Sequence, residues 1–231
     1  MIGRFGKNAM TVVSMDSQAF DRDYLISTIA MCAKIHARLH IVLADDLYCY
    51  NRPVFDDDPN EIYKLVRDRF RYVENAIQRS EKGKLEVLVQ SWRQFCTPEF
   101  IDILRRVYML IVSEHTLVAA VRERTDHFIK RSRPGISHLT KDDLIARSRA
   151  YVVEETAMSL HLASSQNITD EYYPGDHAPI LHLIYNIIDK DQLYEKLSLK
   201  SHEKRFWNIE QSNGRFRRTI EWSNGPGRMD I

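Results

Sequence analysis

The sequence predicts one α/β domain built on a parallel, doubly wound sheet flanked by helices, and three observations carry that expectation. Short β-prone runs alternate with longer helical patterns, as in chains whose strands return to the same edge through a helix. The chain has 231 residues with 44% hydrophobic content, enough for a sizeable core. No internal repeat or linker divides it. A single domain is therefore expected over 1–231, with its core over about 10–190 and a C-terminal tail of low apolar content over about 195–231.

The first strand is expected at Thr11–Ser14, where an apolar run ends on a serine and a turn-like Asp16-Ser17 pair follows. A helix over Asp21–Ala37 leads to a strand at His40–Ala44, and a helix over Pro59–Ser80 leads to one at Leu85–Val89. Helical patterns at Pro98–His115 and Val118–Lys130 read as a pair or as one broken helix, and another covers Lys141–Leu162. Thr97-Pro98-Glu99 is a good helix start: a capping hydroxyl, proline at the first helical position, and an acid in the first turn. Thr140 with Asp142 and Asp143 repeats the cap and acids. Strands are expected at Ile168–Tyr173 and Pro179–Ile187. Arg131-Ser132-Arg133-Pro134-Gly135 reads as a basic turn, and Ser212-Asn213-Gly214-Arg215 and Ser223-Asn224-Gly225 as punctuation of the tail.

Composition removes several function classes. A net charge of +1 provides no global basic field, so any nucleic-acid contact must use a local patch. Cys32, Cys49 and Cys96 fit neither a disulfide framework nor a thiolate metal site, which points to reduced thiols in the cytoplasm. The N-terminus lacks an apolar signal core, and no run approaches the roughly 18 apolar residues of a membrane span. The eight glycines form neither of the common phosphate cradles, so no nucleotide cofactor is expected. Among nine histidines, His36/His40 and His177/His182 have no third ligand at convincing spacing, so no metal is expected either.

Four features carry candidate chemistry. Ser14 at a strand end reads blandly as a turn or helix cap, or functionally as a nucleophile facing the crevice of an α/β sheet. The esterase elbow is absent, because Val12 and Asp16 stand where its glycines belong. On the Pro59–Ser80 helix, Ile62, Leu65, Val66, Phe70, Val73 and Ile77 form an apolar face opposite Lys64, Arg67, Arg71 and Arg79. That stripe is either a solvated face, diluted by Glu61 and Asp68, or a phosphate-tracking surface. On the later helix, Leu144, Ser148, Tyr151, Glu155, Met158 and Leu162 share the inward sector, which makes Glu155 either a satisfied structural acid or a working acid/base group. Glu154 points about 100° away and reads as surface charge. In Thr169–Pro174, Glu171 and Tyr173 share one face of an extended chain, Tyr172 takes the other, and Pro174 ends the strand.

Together these features resemble the cyclodipeptide synthases: a strand-end serine, Tyr-x-x-x-Glu on a late helix, and Tyr-Pro further on. The resemblance extends to His40-Ile-Val-Leu-Ala-Asp-Asp46 with Tyr50-Asn51 and covers about residues 10–190. It implies a Rossmann-like fold similar to the catalytic domains of class I aminoacyl-tRNA synthetases, and a reaction in which two aminoacyl-tRNAs give a diketopiperazine. Carried over, Ser14 is the nucleophile, Tyr151 and Glu155 the Tyr-x-x-x-Glu pair, and Tyr173 the catalytic tyrosine. Val12, Ser17, Met158, Glu171 and Pro174 are implied around the substrate, and Lys64, Arg67, Arg71 and Arg79 against tRNA. Ser17 and Pro174 match the branch with a variable residue, Tyr and Pro, whereas Val12-Val13 depart from the family's glycine-containing pair. Glu171 stands where an apolar pocket residue is common, so a cationic first substrate is expected, with arginine ahead of lysine or histidine. The implied enzyme is a cytoplasmic monomer without cofactor that takes its tRNAs in sequence. A noncatalytic RNA-binding protein of the same fold and a degenerate synthetase fragment are the competing readings. No His-Ile-Gly-His element supports the fragment.

Overall fold

The computed structural model describes residues 8–15, 20, 22–47, 50, 59–131, 139–165, 167–174, 180–200, 205–212 and 215–222. Ser17, Cys49, Asn51, the turn residues 132–135, His177 and the Asn-Gly pairs at 213–214 and 224–225 lie outside them.

Five strands run parallel: β1 (Asn8–Val13), β2 (Arg38–Leu43), β3 (Glu86–Ser91), β4 (Ile168–Pro174) and β5 (Arg205–Ser212). A sixth, β6 (Arg215–Trp222), pairs antiparallel with β5, and the order across the sheet is β3-β2-β1-β4-β5-β6. This is the doubly wound order, with helices on both faces.

On one face, α1 (Arg22–Ile35) and α2 (Pro59–Arg79) cover Ala9, Val13, Leu39, Ile41, Tyr172 and Trp207. On the other, α3 (Pro98–Ser113), α4 (His115–Arg131), α5 (Lys141–Ser165), α6 (Ile180–Ile187) and α7 (Lys190–Lys196) cover Met10, Val42, Ile168, Tyr173 and Phe206. Neighbouring residues of β1 and β4 thus part to opposite layers, as the two-residue period of a strand requires. Both anticipated caps form. The Phe100 N–H donates to Thr97 Oγ1 at 3.2 Å, and the Asp143 N–H to Thr140 Oγ1 at 3.2 Å.

Two expectations are corrected and one open alternative is decided. Pro179–Ile187 is not a strand: Leu181, Ile184, Tyr185 and Ile188 are buried at helical spacing, and α6 occupies 180–187. The stretch after 195 is not a tail throughout, because β5 lies beside β4 and buries Phe206, Trp207 and Ile209. The pair α3 and α4 is two helices, separated at Glu114, whose φ of −98° and ψ of 109° are extended. Lys196 pairs with Glu114 and holds α7 against that break. Among the described residues no helix is long and apolar enough to cross a membrane.

Candidate active site

β1 and β4 are neighbours at the centre of the sheet, and successive strands progress outward from them in opposite directions. The crevice of such a sheet opens at this switch point, beyond the carboxyl ends of the two strands. Ser14 follows the last residue of β1, and Tyr173-Pro174 ends β4. Thr11 pairs with Tyr172, so continuing the register brings Ser14 just past the level of Pro174. Val12 packs into the α5 layer, and the strand period directs half-buried Ser14 to the same side. Ala44 N–H donates to the Val13 carbonyl at 3.0 Å, tying the end of β1 to the end of β2.

α5 supplies the opposite wall. Ser159 donates to Glu171 Oε1 at 2.6 Å, which fixes the phase of α5 against β4. One helical turn back rises about 6 Å and two strand residues span about 6.6 Å. Glu155 is therefore level with Tyr173, and Tyr151 lies a further turn toward the crevice mouth. Both are half-buried.

Tyr173 is 6% exposed and donates its hydroxyl to Glu171 Oε2 at 2.7 Å. Burial raises its phenol well above the ordinary tyrosine range, and the charges of Glu171 and Glu155 push it further, with Tyr151 contributing. The phenol therefore stays protonated at neutral pH, in the form that can hand a proton on. Glu171 is 1% exposed, with each carboxylate oxygen accepting a hydroxyl. Tyr172, on the other face, meets His36 Nε2 at 2.8 Å.

Met158 is fully buried in the same layer as Tyr173, whereas the strand period turns buried Pro174 to the face of Tyr172. Beneath Glu171 and Tyr173, the hydroxyls of Tyr185 and Tyr194 lie 3.4 Å apart. Burial raises both phenols first, and the charge of Glu171 adds to each. Sequence reasoning missed Ser159 and these two tyrosines. Ser159 continues the Tyr151-Glu155 spacing by one more turn, which is the signal that could have found it.

Glu154 corrects another expectation, since it is not surface charge. The Trp92 indole N–H donates to its Oε1 at 2.8 Å and the Tyr50 hydroxyl to its Oε2 at 2.6 Å. Asp45 completes this clasp by accepting from the Ser91 hydroxyl at 2.6 Å and the Trp92 N–H at 2.9 Å. Glu154→Ala strands two donors, each worth about 1–3 kcal/mol when left unsatisfied. We expect a Tm several degrees lower, at roughly 2–4 °C per kcal/mol for a chain of this size. An unchanged melting curve would return Glu154 to the surface.

Lys64, Arg67, Arg71 and Arg79 are all exposed along α2, whose inner face buries Val73 and Ala76. The contact between Arg67 and Asp68, at 3.9 Å with both side chains more than half exposed, offsets little of the stripe's charge. Arg69 differs from these cations: it turns inward and donates to the Met15 carbonyl.

The class defined by this strand order and crevice is the doubly wound, Rossmann-like α/β fold. Among solved structures, a CDPS from Fluoribacter dumoffii superposes with a TM-score of 0.67 at 13% identity, covering 92% of this chain and 90% of its own. A cyclodipeptide synthase from Bacillus thermoamylovorans gives 0.66 at 14% identity, covering 90% of each chain. A Mycobacterium tuberculosis protein, whose structure is described as relating cyclodipeptide synthetases to type I tRNA synthetases, gives 0.56 at 14% identity, covering 76% of each. The chain shares the fold of these proteins. No protein-family model and no curated protein matches it in sequence.

Proposed function

We propose that this protein is a cyclodipeptide synthase, a tRNA-dependent aminoacyltransferase, and that Ser14 carries its ester intermediates. The observation that carries the reading is a serine at the switch point, opposite the Tyr151, Glu155 and Tyr173 cluster, on a fold shared with solved cyclodipeptide synthases.

An aminoacyl-tRNA ester is already activated, so the reaction calls for positioning and charge stabilisation rather than a cofactor. The Ser14 hydroxyl attacks the first ester carbonyl. An Oγ–C bond forms, the bond to the tRNA's terminal ribose breaks, and the hydroxyl proton ends on the ribose oxygen. Glu155, with Tyr151 beside it, holds the aminoacyl ammonium and takes its proton. The freed amine attacks the second aminoacyl-tRNA, forming the peptide bond and releasing the second tRNA. The new terminal amine then attacks the Ser14 ester, closing the ring, and Tyr173 relays its proton to the departing serine oxygen. The two tRNAs are sequential substrates that track the Lys64/Arg67/Arg71/Arg79 stripe, and the enzyme works as a cytoplasmic monomer. Val12, Ser17, Met158 and Pro174 belong to the substrate surround.

Glu171 supports the finer assignment of arginine as first substrate, within the branch marked by a variable residue, Tyr and Pro. Two of the groups that bond it are hydroxyls, from Ser159 and Tyr173, and a carboxylate offers about four acceptor sites. A guanidinium is the planar, bidentate donor whose shape and charge suit such a carboxylate.

The test is mass spectrometry of medium from a bacterial host expressing the chain. The wild type should release cyclic dipeptides. Replacing Lys64, Arg67 and Arg71 together by Ala should lower the yield about tenfold or more without changing which dipeptide is made, because phosphate contacts carry affinity rather than amino-acid choice. A wild-type chain that binds tRNA and releases no dipeptide would instead be the noncatalytic RNA-binding protein.

A further inference from the structure

α2 presents its cations on two sides. Arg67 and Arg71 are exposed, whereas Arg69, about 200° around the helix from Arg67, is half-buried. Its Nε and Nη2 both donate to the carbonyl oxygen of Met15, at 3.3 and 3.0 Å, one residue beyond Ser14. The same guanidinium stands 5.3 Å from the centre of the Tyr72 ring, and the Tyr72 hydroxyl donates to the Phe20 carbonyl at 3.2 Å. Met15 and Phe20 are themselves buried, 2% and 5% exposed, in the α1–α2 layer.

A planar fork that donates twice to one oxygen fixes direction as well as distance. The Met15 carbonyl belongs to the peptide plane next to that of Ser14, so a shift of α2 moves both. The exposed cations on the opposite side reach only what docks from solvent. We infer that Arg69 is a positioning residue that couples tRNA docking on the outer face of α2 to the placement of the Ser14 hydroxyl. The tRNA in this inference rests on the function proposed above, while the link from α2 to Met15 does not.

The experiment uses a Ser14→Cys chain, with iodoacetamide alkylation at position 14 followed by peptide mass spectrometry so that Cys32, Cys49 and Cys96 are read separately. Uncharged tRNA should change the alkylation rate at position 14 by about threefold or more while Arg69 is intact, as expected when a ligand shifts the local ensemble. Adding Arg69→Met should abolish that response while the tRNA Kd stays within about twofold, because the lost bonds face inward and contact no phosphate. Arg69→Lys, which keeps a single point donor, should restore part of it, and it decides the matter if Arg69→Met does not fold. A tRNA response that persists without Arg69, a Kd that weakens as much as with Arg67→Ala, or no response in either chain overturns the inference. If the response follows Arg69 but the wild type forms no ester on Ser14, the proposed reaction fails and the coupling stands. If the ester forms and the response ignores Arg69, the coupling alone fails.

Discussion

Under the function proposed above, Ser14→Ala should lower cyclodipeptide formation by about 10⁴-fold or more, the scale on which enzymes lose rate with their nucleophile. Ser14 is half-buried just past the end of β1, and the strand itself is held by backbone bonds to β2 and β4. Loss of one hydroxyl should therefore change stability by no more than about 1 kcal/mol. The exposed stripe on α2 is untouched, so tRNA affinity should be unchanged. Incubation with radiolabelled aminoacyl-tRNA followed by denaturing precipitation should leave label on the wild type alone. Equal labelling of the Ala chain would place the nucleophile elsewhere.

Replacing Glu171 should change the product as well as the yield. A guanidinium seated against this buried carboxylate loses its counter-charge in Glu171→Gln or Glu171→Leu, at a cost of about 2–5 kcal/mol for a desolvated pair. Arginine-containing product should fall by more than tenfold in both. The two variants part in stability. Gln still offers an oxygen to Ser159 or Tyr173, whereas Leu leaves both hydroxyls without the acceptor they now share, at about 1–3 kcal/mol for each. Leu also converts the acid into apolar surface and should admit an apolar first residue. Product profiling from one pool of charged tRNAs, alongside thermal melts, checks both statements. A wild type that makes only apolar cyclodipeptides, or variants that keep full arginine incorporation, would remove the arginine assignment and leave the synthase assignment in place.

Much of the parallel sheet was legible because alternation of strand and helix is a long-range signal that survives errors at element ends. The C-terminal strands were not. Residues 205–222 carry many charges, and an Asn-Gly pair between two such runs fits tail punctuation as well as a hairpin turn. The register Ser212↔Arg215 brackets that pair. The run at 179–187 is apolar almost throughout, where periodicity cannot separate a short buried strand from a helix.

At the site, the spacing of Tyr151 and Glu155 sufficed to bring them to one face, because the contacts of α5 with β4 follow its helical phase. Phase misled at Glu154. An angle of about 100° from the buried sector means solvent only on a helix covered from one side, and here Trp92 and Tyr50 reach the neighbouring face. Arg69 was invisible for a different reason: on a helix already rich in cations, one guanidinium turned inward leaves no mark on composition.

Tyr151, Glu155, Ser159, Glu171 and Tyr173 all lie on one continuous stretch of sequence, in α5 and β4. In genetic terms that stretch is a recombination block. A single crossover pair flanking codons 151 to 173 transplants the carboxylates and phenols as an inherited set, while the recipient keeps its own serine and its own basic helix. The graft has one compatibility requirement, since Glu154 travels inside the block and the Trp92 and Tyr50 that clasp it do not. If the proposed function holds, libraries that diversify this block on a fixed backbone, with Glu154 held constant, should shift which dipeptide is made.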